Sequence, residues 1–169
     1  NRLWLSVGGF GLYRMGAARD GFIPVPLLDG PEPVLDIWAI ASDKDGSVWV
    51  GTFGSGLFRL QPEGGVQQIK PKAGAAGLPD ENVLALAHDT GGTLWIATSS
   101  GIVLRRDGKF QAFDNDLLLS KVVVNLLPDL QGGMWLGTQA GLQRFTADGL
   151  LEMPAWADGL SNAQIMGLL

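Results

Sequence analysis

One histidine, a set of aspartates preceding glycines, and a few serines in glycine-rich surroundings are the residues here whose types could do chemistry. Acid–base catalysis needs a positioned base, and His88 is the only histidine. It ends an apolar run at the place held by Ser42 and Pro128 in two equivalent stretches, so it reads as structural or solvent-facing. Asp43, Asp89 and Asp129 would suit calcium or paired-carboxylate chemistry if they converged. Each instead opens the same Asp-x-x-Gly turn in a different stretch, where a carboxylate caps backbone amides. Ser55 and Ser99 lack a nucleophile-elbow context. The glycine-rich stretches 8–11 and 51–56 are followed by no helical pattern that could supply amides to a phosphate. With no cysteine, thiolate nucleophiles, disulfides and thiolate zinc sites are excluded. The residues therefore predict a binding protein, with no catalytic residue, no metal and no cofactor.

The elements that must carry such a site are written as repeats. Asp43-Lys-Asp-Gly-Ser-Val-Trp-Val-Gly-Thr52 aligns without gaps to 89–98 and to 129–138, and 3–7 matches the tryptophan-containing half of the phrase. Trp4, Trp49, Trp95 and Trp135 hold equivalent places, 45, 46 and 40 residues apart. That period fits propeller blades of four strands each and is too long for ankyrin or tetratricopeptide repeats. Composition agrees: 25 glycines and six tryptophans in 169 residues suit short strands joined by tight turns.

Four strands can be read in each repeat. An apolar run (36–42, 83–88, 122–127) predicts an innermost strand buried on both faces. After the Asp-x-x-Gly turn comes a tryptophan-bearing strand with Gly or Ala two residues beyond the ring, which pairs a bulky side chain with a small one between blades. A third strand begins at a Gly-apolar pair, and a more polar fourth (66–69, 109–113, 150–153) has the character of a solvent-facing edge. The fold class is therefore all-β, a β-propeller of about four blades of four antiparallel strands. The segments are approximately 1–30 (first strand missing), 34–70, 82–114, 121–153, and 162–169 as the first strand of a further blade. The last strand could complete the opening blade and close a four-bladed ring, or the chain is part of a ring of about six to eight blades. The larger ring is preferred, since both ends are abrupt and no initiator methionine is present.

In a propeller the openings of the innermost strands converge on the mouth of a central channel, where ligands commonly bind. This places Asp36, Asn82 and Asn162 at the mouth, with Lys121 beside the in-register Val122 and Trp38 nearby. A polar ring with an aromatic suits a sugar or another polar metabolite. Trp156, in a connection between repeats, is either an exposed binding aromatic or a plug beneath its loop. The 12 basic and 17 acidic residues are scattered singly, with no basic stripe to neutralise phosphates, so nucleic acid is not expected as a partner. No run of 18 apolar residues or signal-peptide pattern is present.

These motifs resemble the two-component regulator propeller repeat. Gly77-Leu78-Pro79-Asp80-Glu81-Asn82-Val83, followed by Asp89, Gly92, Leu94-Trp95-Ile96, Thr98 and Gly101, follows its Gly-Leu-Pro, Asn-x-Val, Asp-x-x-Gly-x-Leu-Trp and Gly-Thr pattern. Departures fall at Ala97, at Gly132-Gly133 and at 115–121. The resemblance implies the periplasmic sensor region of a membrane-bound signalling protein, a hybrid histidine kinase or a diguanylate cyclase. In such a protein a small β-sandwich, a membrane helix and an output domain follow the propeller. It implies a ligand-sensing segment, whose ligand from the residues at the mouth is a carbohydrate or other small polar molecule, or else a partner protein. Because an open arc leaves unpaired sheet edges, copies of the chain could pair to close a ring. Two other readings stand beside it. One is a protein-interaction scaffold, and the other a propeller enzyme like the streptogramin lyases, for which His88 alone is available as the catalytic histidine.

Overall fold

The Asp-x-x-Gly turns reverse the chain in the same way three times. In each, the glycine (Gly46, Gly92, Gly132) takes φ of 83°, 86° and 86°, a conformation other residues adopt only with strain. Its amide donates to the aspartate carbonyl at 3.1, 3.0 and 3.0 Å. The computed structural model describes residues 3–72, 77–160 and 162–169.

Around these turns the chain folds into four antiparallel sheets in sequence order. The first has three strands, β1 (Trp4–Val7), β2 (Gly11–Met15) and β3 (Phe22–Val25). A short hairpin, β4 (Leu28–Asp29) with β5 (Glu32–Pro33), follows it. The second sheet is β6 (Ile37–Ser42), β7 (Val48–Thr52), β8 (Leu57–Leu60) and β9 (Val66–Ile69). The third is β10 (Val83–His88), β11 (Leu94–Thr98), β12 (Gly101–Arg106) and β13 (Lys109–Ala112). The fourth is β14 (Val123–Asp129), β15 (Gly133–Thr138), β16 (Gly141–Thr146) and β17 (Leu151–Glu152). Each sheet is an up-and-down meander, and β6, β10 and β14 lie side by side in neighbouring sheets.

The cores lie between sheets. Along β7, Val48 and Val50 face back into a cluster with Leu12, Leu27 and Ile37, while Trp49 points forward onto Val83, Leu94 and Ile96 of the third sheet. Trp95 repeats this one sheet on, packing with Val123, Met134 and Leu136. Gly51 gives Val83 its room: a Cβ there would lie 2.6 Å from a Val83 methyl. Gly137 stands in the same relation to Ile165, at 3.0 Å.

Burial departs from the sequence expectation in one respect. The tryptophan-bearing strands β7 and β11 are buried at every residue, whereas β6 and β14 are only partly so. The first strand of a repeat lies between its neighbours, two sheets for β6 and β10 and one sheet with the last segment for β14. Its apolar character serves those neighbours: β10 is buried from Val83 to Ala85, while Trp38 near the opening of β6 remains accessible. The last segment, 162–169, has no ladder pairing and is held by Ile165 N–H to the Thr138 carbonyl at 3.0 Å and by Asn125 Nδ2 to the Ile165 carbonyl at 3.0 Å.

Candidate functional site

The residues at the openings of β6, β10 and β14 are tied to the turn between the second and third strands of their own sheets. Phe53, Ser99 and Gln139 each donate a backbone N–H to the carbonyl of Asp36, Asn82 and Val122, at 2.9, 3.1 and 3.2 Å. Strand opening and turn therefore share one face of the molecule in all three sheets. On that face Trp38 and Phe53 stack, ring centroids 5.3 Å apart and planes 26° apart, and both remain about half exposed, 57% and 48%.

Beside the stack lies a cavity of about 540 Å³. Leu84, Val122, Val124 and Met166 provide its apolar wall, and Ser99, Asn125, Gln139 and Gln164 its polar groups. It spans three sheets and the final segment, which is the arrangement expected of a channel mouth.

The sequence-derived candidates divide on this geometry. Trp38 lines the cavity. Asp36 and Asn82 hold the strand-opening places, their carbonyls taken by the turn amides, and Asp80 Oδ1 accepts from the Asn82 N–H at 2.7 Å. Lys121 is exposed and 3.6 Å from Asp116 Oδ1. Asn162 lies near the start of the last segment and is not among the residues lining the cavity. Ile165 packs against Gly137 as Val83 packs against Gly51, so Gln164 is the residue equivalent to Asn82. Asn162 lies two residues earlier, in a left-handed conformation with φ of 62°, and its N–H donates to the Ala140 carbonyl. Phe53, Gln139 and Gln164 escaped the sequence reading. The signal for the first two was present, since each directly follows the repeated threonine.

The repeated aspartates face the other turns. Trp49 Nε1 donates to Asp43 and Trp95 Nε1 to Asp89, both at 3.0 Å, so each carboxylate locks the ring of its own repeat. Burial works to raise the Asp89 carboxyl, but bonds from Trp95 and Thr93 outweigh it and hold it below the ordinary value. The third copy differs. Arg59 donates to the Ser47 hydroxyl, but the corresponding place in the fourth sheet is Gly133, which has none. Arg144 turns to Asp129 instead, Nε to Oδ2 at 2.7 Å, and lies over Trp135. Trp135 stays half-buried and meets Trp156, centroids 5.8 Å apart. Trp156 thus covers a neighbouring ring and still exposes 69% of its surface. Trp4 is partly buried against the first inter-sheet core.

His88 lies 3.8 Å from Asp43 Oδ1, across the boundary between the second and third sheets and beside the Asp-x-x-Gly turns. Among the described residues no three His, Cys, Asp or Glu side chains gather as a metal site would need.

With this geometry in hand, comparison with known proteins defines the class: an all-β propeller segment. Residues 31–54 and 77–100 match the family described as two component regulator propeller. Two stretches of the chain thus match the two-component regulator propeller repeat.

Among solved structures it resembles the extracellular domain of BT4673 from B. thetaiotaomicron, assigned to a one component system, at 20% identity and a TM-score of 0.71 over 90% of this chain. It spans 22% of that structure's length. The fold is also shared with a gluconolactonase, XC5397 from Xanthomonas campestris, at 18% identity, TM-score 0.65, and 89% and 57% of the two chains. A catalytically inactive virginiamycin B lyase from Staphylococcus aureus, with quinupristin, follows at 14%, 0.64, and 92% and 51%. At these identities the likeness concerns the fold. No curated protein sequence matches the chain.

Proposed function

We propose that this chain is an extracytoplasmic ligand-sensing segment of a bacterial two-component-type signalling protein, with no catalysis of its own. The observation that carries the reading is the pair of regulator-propeller repeats, joined to an accessible cavity where the strand openings meet. In the full-length protein a membrane anchor and an output domain would receive the signal, and the segment would lie in the periplasm. The ligand would be a carbohydrate or another small polar molecule, bound at the channel mouth.

The enzymes that share the fold supply a contrasting reading. Against it, the only histidine sits beside the Asp-x-x-Gly turns, with an aspartate of the neighbouring sheet as its partner, and does not line the cavity.

The chain has no cysteine, so location can be tested with a single introduced thiol. Asp148→Cys lies in an exposed turn. In intact cells, a full-length protein carrying this substitution and cleared of any other cysteine should react with a membrane-impermeant maleimide. Labelling only after lysis would overturn the reading.

A further inference from the structure

Among the described residues, the lining of the channel-mouth cavity contains no charged side chain. This is notable in a chain where 17% of residues are charged. The two candidates that carry charge nearby, Asp36 and Lys121, are outside the lining, and Lys121 is directed toward Asp116. What lines the cavity is a stacked pair of half-exposed rings, an aliphatic wall and three amide side chains with one hydroxyl. A volume of about 540 Å³ lies within the range of small-molecule sites.

From this we infer that the cavity selects an uncharged ligand with one flat apolar face and a hydrogen-bonding edge, stacked on the Trp38–Phe53 pair, and discriminates against anionic analogues. The inference deepens the sensing reading and rests on it for the biological role. The binding chemistry stands on the cavity alone.

The physical argument has two parts. Trp38 and Phe53 cover one face of each other, and the surface they leave exposed is a platform of stacked rings. Such a surface attracts the C–H face of a pyranose or the plane of a neutral heterocycle through dispersion and apolar burial. The polar groups opposite can both donate and accept: Gln139 and Gln164 each carry an amide, and Ser99 a hydroxyl. Asn125 spends one donor on the Ile165 carbonyl, which holds the last segment against β14 and leaves the Asn125 carbonyl oxygen as an acceptor. These groups satisfy hydroxyls or ring nitrogens. None of them carries the positive charge that would offset the desolvation of a carboxylate, sulfate or phosphate, and burying such an anion without a paired cation is costly.

The test is a calorimetric titration of the full chain, whose signal does not depend on Trp38. Two neutral pyranosides (cellobiose, maltotriose), two neutral heterocycles (adenosine, riboflavin) and an acidic sugar (digalacturonate) serve as probes. At least one neutral probe should bind saturably, with digalacturonate weaker by about tenfold or more. Trp38→Ala and Phe53→Ala should each weaken the best probe by about tenfold, and Trp38→Phe should recover most of the loss. The sugars and the heterocycles separate the two sources of a flat neutral face. Because Trp38 and Phe53 are half-exposed and outside the cores between sheets, melting temperatures should fall by no more than a few degrees.

Absence of saturable binding by every neutral probe overturns the inference. So does equal binding of digalacturonate, or binding that survives Trp38→Ala. The sensing reading fails separately, if the best probe binds through Trp38 but leaves the output of the full-length protein unchanged.

Discussion

At the residue scale, the repeated aspartate works as a lock for the tryptophan six residues later. Asp89 takes the Trp95 Nε1 hydrogen and the Thr93 amide with its two oxygens. Asp89→Ala leaves the indole N–H of an almost fully buried ring without an acceptor and should cost about 1–3 kcal/mol, read from urea unfolding. Asp129→Ala orphans no indole, so its cost should be smaller. The pH dependence has a definite sign. The Asp89, Asp45 and Asp129 carboxyls are all held below their ordinary value. Their stabilisation is complete above the ordinary aspartate value of 3.8 and disappears as pH falls through the lower folded values. Acid titration of stability should therefore fall below about pH 4, and less steeply in Asp89→Ala. The turn role of these aspartates was legible because three copies align without gaps. The change of partner at Asp129 was not, because it depends on a hydroxyl missing at Gly133 and on where Arg144 then reaches.

At the element scale, the strand that carries the tryptophan is the one the sequence describes best, since its one-large, one-small pattern is the packing between sheets. Gly51→Ala tests it. The new methyl would meet Val83, whose branched side chain has little freedom to move, and should cost about 1–3 kcal/mol. The third sheet already holds Ala97 at that place, packed in the same cluster as Val123, so Ala97→Gly should lose stability by opening space there. Equilibrium unfolding of both variants checks the pair; a stabilised Gly51→Ala would refute the packing argument. Where the pattern thins, the sequence misleads. The last segment lacks the ten-residue phrase that anchors the other copies, and the chemically similar Asn162 and Gln164 lie two residues apart. The contact of Ile165 with Gly137 and its hydrogen bonds to Thr138 and Asn125 fix the register. Phe53 lies beyond its strand, so strand periodicity carried no information about it, and it becomes a site residue through the turn that folds it against Trp38.

At the scale of the whole molecule, stability accrues between neighbouring sheets, as expected of stacked repeats in which each unit contacts only the next. Trp95→Ala should destabilise by about 3–5 kcal/mol, because the ring is buried among residues of two sheets. Trp135→Ala should cost less than half of that, its ring being half-buried under Trp156. The same arrangement separates structure from binding. Asp-x-x-Gly turns and their locks occupy one face, and the strand openings with the Trp38–Phe53 cavity occupy the other, where a substitution can change ligand affinity without loosening a core. Hydrogen exchange of the full chain, with and without the tightest-binding neutral probe of the titration, tests this most directly. The account predicts slowed exchange at the amides of Phe53, Ser99 and Gln139 and along the openings of β6, β10 and β14, with the turns at 43–47, 89–93 and 129–133 unchanged. Protection confined to those turns, or none at the strand openings, would contradict it.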